Sequence, residues 1–218
     1  MLDHSLPHTP TLFYGATQWS QDVVKARLET LPRNHRTAFA AACAERLLPN
    51  YATFVRKERW GSVPLLRNAL TEVWRALEGE PPSMERIENL IQAVKQQIPD
   101  TEDFTSTYVS PALDAGAAVV HTLESLADGG VEPAVLAASL AHDTVHMHLQ
   151  GLIGSDYADP SFDETIYGQP LMRRELERQR RDLDLLSKTV NLTPEFLSGF
   201  RMASEGKSNI DALSLVGS

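Results

Sequence analysis

Two histidines one helical turn apart, His142 and His146, with Asp143 between them, are the residues here whose types and spacing could do chemistry. At i and i+4 they share one helix face, a common way for a helix to offer two imidazoles to zinc. His148 points elsewhere. In HDTVH, Asp143 stands where a zinc protease carries its catalytic Glu, and its shorter side chain reaches less far. The acidic stretch downstream could supply a missing ligand through Asp159, Asp163 or Glu164. A metal-dependent hydrolase is the reading these residues would support. The competing one is plainer: Ser139, Asp143, His146 and Gln150 form a continuous polar strip, and a solvated strip explains them with no cofactor. The plainer reading takes precedence, and a divalent metal stays the weaker alternative.

The second unusual residue is Arg46. Phe39, Cys43 and Leu47 share one helical face with Ala42 beside them, and Arg46 lies in that apolar stripe. A buried ion is costly unless it is paired, so a partner is required. Either Arg46 is a strut between helices or it binds an anion, and the strut is preferred. The first candidate partner is Asp114, on the border of the apolar face of a later helix. Asp114 could equally answer the helix dipole in the first turn. Glu45, Arg46 and Asp114 are thus the expected polar core.

The elements that must hold these residues are all helical. A first helix is predicted from Ser20, capped by its hydroxyl, to near Leu31. The stretch 39–79 reads as two long helices with a break or kink at Pro49, after which Asn50 caps the continuation. Ser62 caps the helix that Gly79 stops, and Ser83 caps another through Val94. Asp100, Glu102 and Asp103 follow, a cluster that could hold a hard cation but reads better as a solvated loop. Ser110-Pro111 starts a helix to Ala127, whose small residues at 115–118 permit close approach of a neighbour. Pro133 opens the histidine helix, to about Gln150. Residues 151–169 read as a long acidic loop with Tyr157, Phe162 and Tyr167. Pro170 opens a charged helix with a narrow seam of Met172, Leu176, Gln179, Leu183, Leu186 and Val190. Thr193-Pro194 starts a short last helix. Residues 1–18 read as an irregular arm pinned by Phe13 and Trp19, and 206–218 as a flexible tail around one domain at 19–205.

Composition bounds the rest. The chain has 218 residues, enough for one good-sized core. A net charge of −9 with both signs interspersed argues against a nucleic-acid binder and suits a basic partner. One cysteine, Cys43, leaves no disulfide framework and points to a reducing cytosol. No apolar run approaches a membrane span, so a cytoplasmic protein with no membrane partner is expected.

Glu45-Arg46, Pro49-Asn50-Tyr51, Phe54, Trp74, Ile98-Pro99, Glu102-Asp103-Phe104, Pro111-Ala112, Asp114-Ala115 and Ser208-Asn209-Ile210 together resemble the bacterial YjaG-like family, domain-of-unknown-function family 416. The resemblance is strongest over residues 30–127. It implies an all-helical cytoplasmic protein and brings no catalytic residues with it. Separately, His121 with His142-Asp143 is similar to the helical HD-type phosphohydrolases, whose scattered His, His-Asp and Asp ligands bind one or two metals. Two functions follow as expectations. One is a non-catalytic adaptor or inhibitor that binds a protein partner, with a homodimer as a variant. The other is an HD-like hydrolase using His142 and His146.

Overall fold

Apolar stripes at helical spacing bury themselves only against one another, and the chain does this entirely with helices. The computed structural model describes residues 19–154, 162–206 and 208–211. Among them the elements are α1 (Gln21–Glu29), α2 (Arg33–Glu58), α3 (Val63–Leu77), α4 (Met84–Lys95), α5 (Val109–Asp128), α6 (Val131–Ile153), α7 (Phe162–Tyr167), α8 (Pro170–Lys188) and α9 (Pro194–Met202), with no strand. The fold is all-α, in one domain.

Helix α2 is the axis of the molecule and packs against α3, α5, α6, α8 and α9. Its alanines at 38, 40, 41, 42 and 44 are buried, as are Phe39, Leu47, Tyr51 and Phe54. The break expected at Pro49 does not occur, and Asn50 lies inside the helix rather than capping a new one. Proline removes one backbone donor and costs about 3 kcal/mol in a helix interior. Packing on α2 from several sides outweighs that. The chain turns instead ten residues later, where Arg59 is left-handed at φ 55° and Gly61 follows at φ 94°. A β-carbon on Gly61 would stand 2.5 Å from the Tyr51 hydroxyl, so glycine is required there.

Hydroxyl caps place three helix starts, whereas Ser20 makes no side-chain cap ahead of α1 and α5 begins at Val109, before the expected Ser110-Pro111. Ser62 Oγ accepts from Leu65 N–H at 3.4 Å, Ser83 Oγ from Arg86 N–H at 3.2 Å, and Thr193 Oγ1 from Phe196 N–H at 3.2 Å. Gly116 on α5 lets the Ile98 side chain seat against its backbone, where a β-carbon would be 2.7 Å from Ile98 Cγ1.

Three more expectations are corrected. The stretch read as one long loop carries α7, and α6 continues to Ile153. Val190 lies beyond the end of α8, 85% exposed, so it is no part of the seam. The segment 208–211 is docked rather than frayed. Asn209 is buried, and Ile210 joins a second small core with Val145, Leu149, Ile166, Leu171 and Met172. Residues 1–18, with the expected arm, lie outside the described residues, as do Asp159 and 212–218.

Candidate functional site

The histidine face of α6 is built by three elements. Helix periodicity stacks His142 and His146, with ring centroids 5.6 Å apart. Trp19, just ahead of α1, covers His142 at a centroid distance of 4.5 Å and 17° between planes. Helix α7 brings Tyr167 and Asp163 to the other side.

His142 is committed at both nitrogens. Nδ1 lies 2.7 Å from Asp143 Oδ1, and Nε2 lies 3.1 Å from the Tyr167 hydroxyl. An ionised Asp143 only accepts, so Nδ1–H donates to it and, in the neutral ring, Nε2 accepts from Tyr167. His146 Nε2 stands 3.9 Å from Asp163 Oδ1. Burial and the neighbouring His142 hold the His146 pKa below its usual value, against the pull of Asp163 and Asp143, which favours a neutral ring. Burial, then Asp163 and Asp143, push the Tyr167 phenol above its usual value, so it stays protonated. The arrangement is an Asp143–His142–Tyr167 hydrogen-bond chain that clips α7 onto α6. Among the described residues no three His, Cys, Asp or Glu side chains converge as metal ligands.

The structure therefore brings His142, Asp143, His146 and Asp163 together, and leaves Glu164 exposed on α7. His121 is elsewhere, with Nδ1 2.8 Å from Glu124 Oε2.

The expected polar core exists with different partners. Arg46, fully buried, donates from Nη1 to Asp182 Oδ2 at 2.7 Å and to Ser204 Oγ at 3.1 Å, and Nη2 lies 3.3 Å from Glu175 Oε1. The Arg46–Asp114 contact is not made. Asp114 instead accepts from Thr144 Oγ1 at 2.6 Å. The reason is geometric: α8 lays two carboxylates, Glu175 and Asp182, on the face of α2 that carries Arg46. Burial opposes the charge on Arg46, but the carboxylates of Glu175 and Asp182 hold it firmly protonated. Burial also pushes the Cys43 thiol up to about 12, so it is an inert packing group. Glu45, equally buried, accepts from Arg67 Nη1 at 2.5 Å and from Trp74 Nε1 at 3.0 Å.

These centres are one network. Trp19 Nε1 donates to Gln179 Oε1 at 3.0 Å, and Gln179 Nε2 donates to Glu175 Oε1 at 3.1 Å, which pairs with Arg46. Asn209 joins it from the C-terminal side through its backbone N–H, which donates to the Arg46 carbonyl at 3.3 Å, while its side chain receives Asn50 Nδ2 at 2.9 Å and donates to the Ala141 carbonyl at 2.9 Å. Sequence reading missed Glu175, Asp182 and Asn209 as partners. The first two carried a signal, since with Gln179 they put polar groups at helical spacing along the buried side of α8.

Residues 23–211 match the family described as "Protein of unknown function (DUF416)". The chain belongs to that family. Among its relatives are the uncharacterised protein YjaG of Escherichia coli K12, 27% identical over 193 residues that cover 87% of this chain and 96% of that protein. An uncharacterised protein of Haemophilus influenzae is 28% identical over 196 residues, covering 86% and 95%. The crystal structure of a DUF416 family protein from Shewanella baltica has a TM-score of 0.79 and 26% identity, covering 85% of this chain and 96% of that one. The DUF416 helices thus share their arrangement with that protein, and the family is one of unknown function. No helix among the described residues is long and apolar enough to cross a membrane.

Proposed function

We propose that this chain is a non-catalytic binding protein that takes a short apolar segment of a protein partner between α8 and α9. The observation supporting this is an open groove of about 430 Å³ lined by Leu185, Phe196, Gly199, Phe200 and Ala203, with Arg181, Asp182 and Glu195 among its charged residues. Leu185, Val190 and Met202 stand exposed at 43%, 85% and 68% on or next to these two helices. Clustered exposed apolar side chains mark interaction surfaces. A groove of this volume holds a few side chains, which a short peptide segment can supply. By contrast His142, Asp143, Glu45 and Arg46 already serve other parts of the fold.

The test is a photo-crosslinking residue at Leu185 or Glu195 in cells, with Glu88 on the exposed face of α4 as the control. Adducts of one mass from the groove positions and none from Glu88, abolished by Leu185→Asp at the Glu195 position, are the expected result. Self-adducts would reassign the groove to a homodimer, and equal labelling at all three positions would defeat the proposal.

A further inference from the structure

Four arginines gather around one stretch of α8, and of these Arg181 also borders the docking groove. Arg174, Arg178 and Arg181 recur at helical spacing on α8, and Arg46 lies beneath. Arg46 is committed to Asp182 and Glu175, and Arg174 donates to the Ser208, Asn209 and Asp211 carbonyls. Arg178 differs. Its Nη1 is buried and has no hydrogen-bond partner among the described residues. Glu175 is one turn away, yet its Oε1 is engaged by Arg46 and Gln179, and its Oε2 has no hydrogen-bond partner among the described residues. Burial, with Arg46, Arg174 and Arg181 adding to it against Glu175, lowers the Arg178 guanidinium to about 10. A desolvated cation held among other cations is costly and persists in proteins where an anion answers it. The chain as a whole is acidic, so this concentration of guanidinium groups is local.

From the unpartnered Arg178 donor, the arginines beside it and the unpartnered Glu175 acceptor, we infer a binding site for a phosphate group. A guanidinium fork matches phosphate oxygens, and a hydrogen phosphate also carries an O–H for the Glu175 oxygen. Acetate offers the first contact without the second. The group could be free phosphate or a phosphate monoester on a larger molecule.

The experiment uses the full chain, following by NMR the Arg178 Nε–Hε resonance in the wild type, and the backbone amides of α8 in the wild type and the variants, during titration with inorganic phosphate, O-phosphoserine and acetate. Potassium chloride holds ionic strength constant. Saturable shifts with millimolar phosphate, weakened at least about tenfold for acetate and in Arg178→Gln but not in Arg173→Gln, are expected. Tighter binding of O-phosphoserine would assign the group to a larger molecule, and tighter binding of phosphate to the free ion. Because the wild-type resonance is read directly, a variant that fails to fold leaves the test intact. No saturable shift with either phosphate probe, or equal affinity in Arg178→Gln, overturns the site.

Discussion

Arg46 Nη1 and Asp182 Oδ2 lie 2.7 Å apart inside the protein, though 136 residues separate them in the chain. With Glu175 on the same guanidinium, the contact fastens α8 to the central helix through charges that are wholly out of water.

Breaking one side of such a triad leaves buried charges unanswered. Arg46→Met is expected to cost about 3–5 kcal/mol, measured by urea unfolding, because Glu175 and Asp182 both lose their cation. Adding Glu175→Gln and Asp182→Asn should recover much of the loss. If the triple variant is no more stable than Arg46→Met alone, the charges are not what the arginine serves.

Asn209 holds the C-terminal segment through its side chain. Asn209→Ala leaves the Asn50 amide and the Ala141 carbonyl without their partners. A loss of about 2 kcal/mol is expected, since stranded buried polar groups carry their full desolvation cost. Hydrogen exchange should speed up in α6 around Ala141–Val145 and stay unchanged in α4. Uniform acceleration of both helices would show that the segment is not a local clamp.

Asp114 gives a pH dependence of defined sign. Burial raises its pKa to about 6, with the Thr144 hydrogen bond opposing and Asp143 adding to the rise. The unfolded carboxyl titrates near ~3.9, so between about pH 4 and 6 the folded state binds more protons than the unfolded one. Stability contributed by this group therefore falls as pH rises through that window. Asp114→Asn should stabilise the protein by about 1–2 kcal/mol at pH 7 and by nearly nothing at pH 4, read from denaturant midpoints at the two pH values. A constant difference across the window would show that the carboxyl does not titrate there.

Tyr167 and Asp143 occupy both nitrogens of His142, so protein purified without a histidine tag is expected to carry well under one equivalent of zinc, manganese or iron by mass spectrometry. Stoichiometric metal that disappears in His146→Ala would replace the binding-protein reading with the hydrolase. Tyr167→Phe should cost about 1 kcal/mol by releasing one clip of α7, with the histidine rings still stacked under Trp19.

What the sequence determined by itself is local. Apolar residues at helical spacing and hydroxyls ahead of α3, α4 and α9 specify helices and several of their starts, because a cap bonds within its own first turn. The lone arginine in an apolar stripe announced a buried ion pair, since no other arrangement is tolerable there. Only the tertiary structure decided which carboxylates answer it. Asp114 and the α8 acids are equally acidic on paper, and the choice depends on which helix packs beside α2. The same holds for Pro49, whose break-forming tendency was overridden by neighbours packed around α2. It holds too for His142, whose spacing suits a metal while Tyr167, 25 residues on, claims the nitrogen a metal would need.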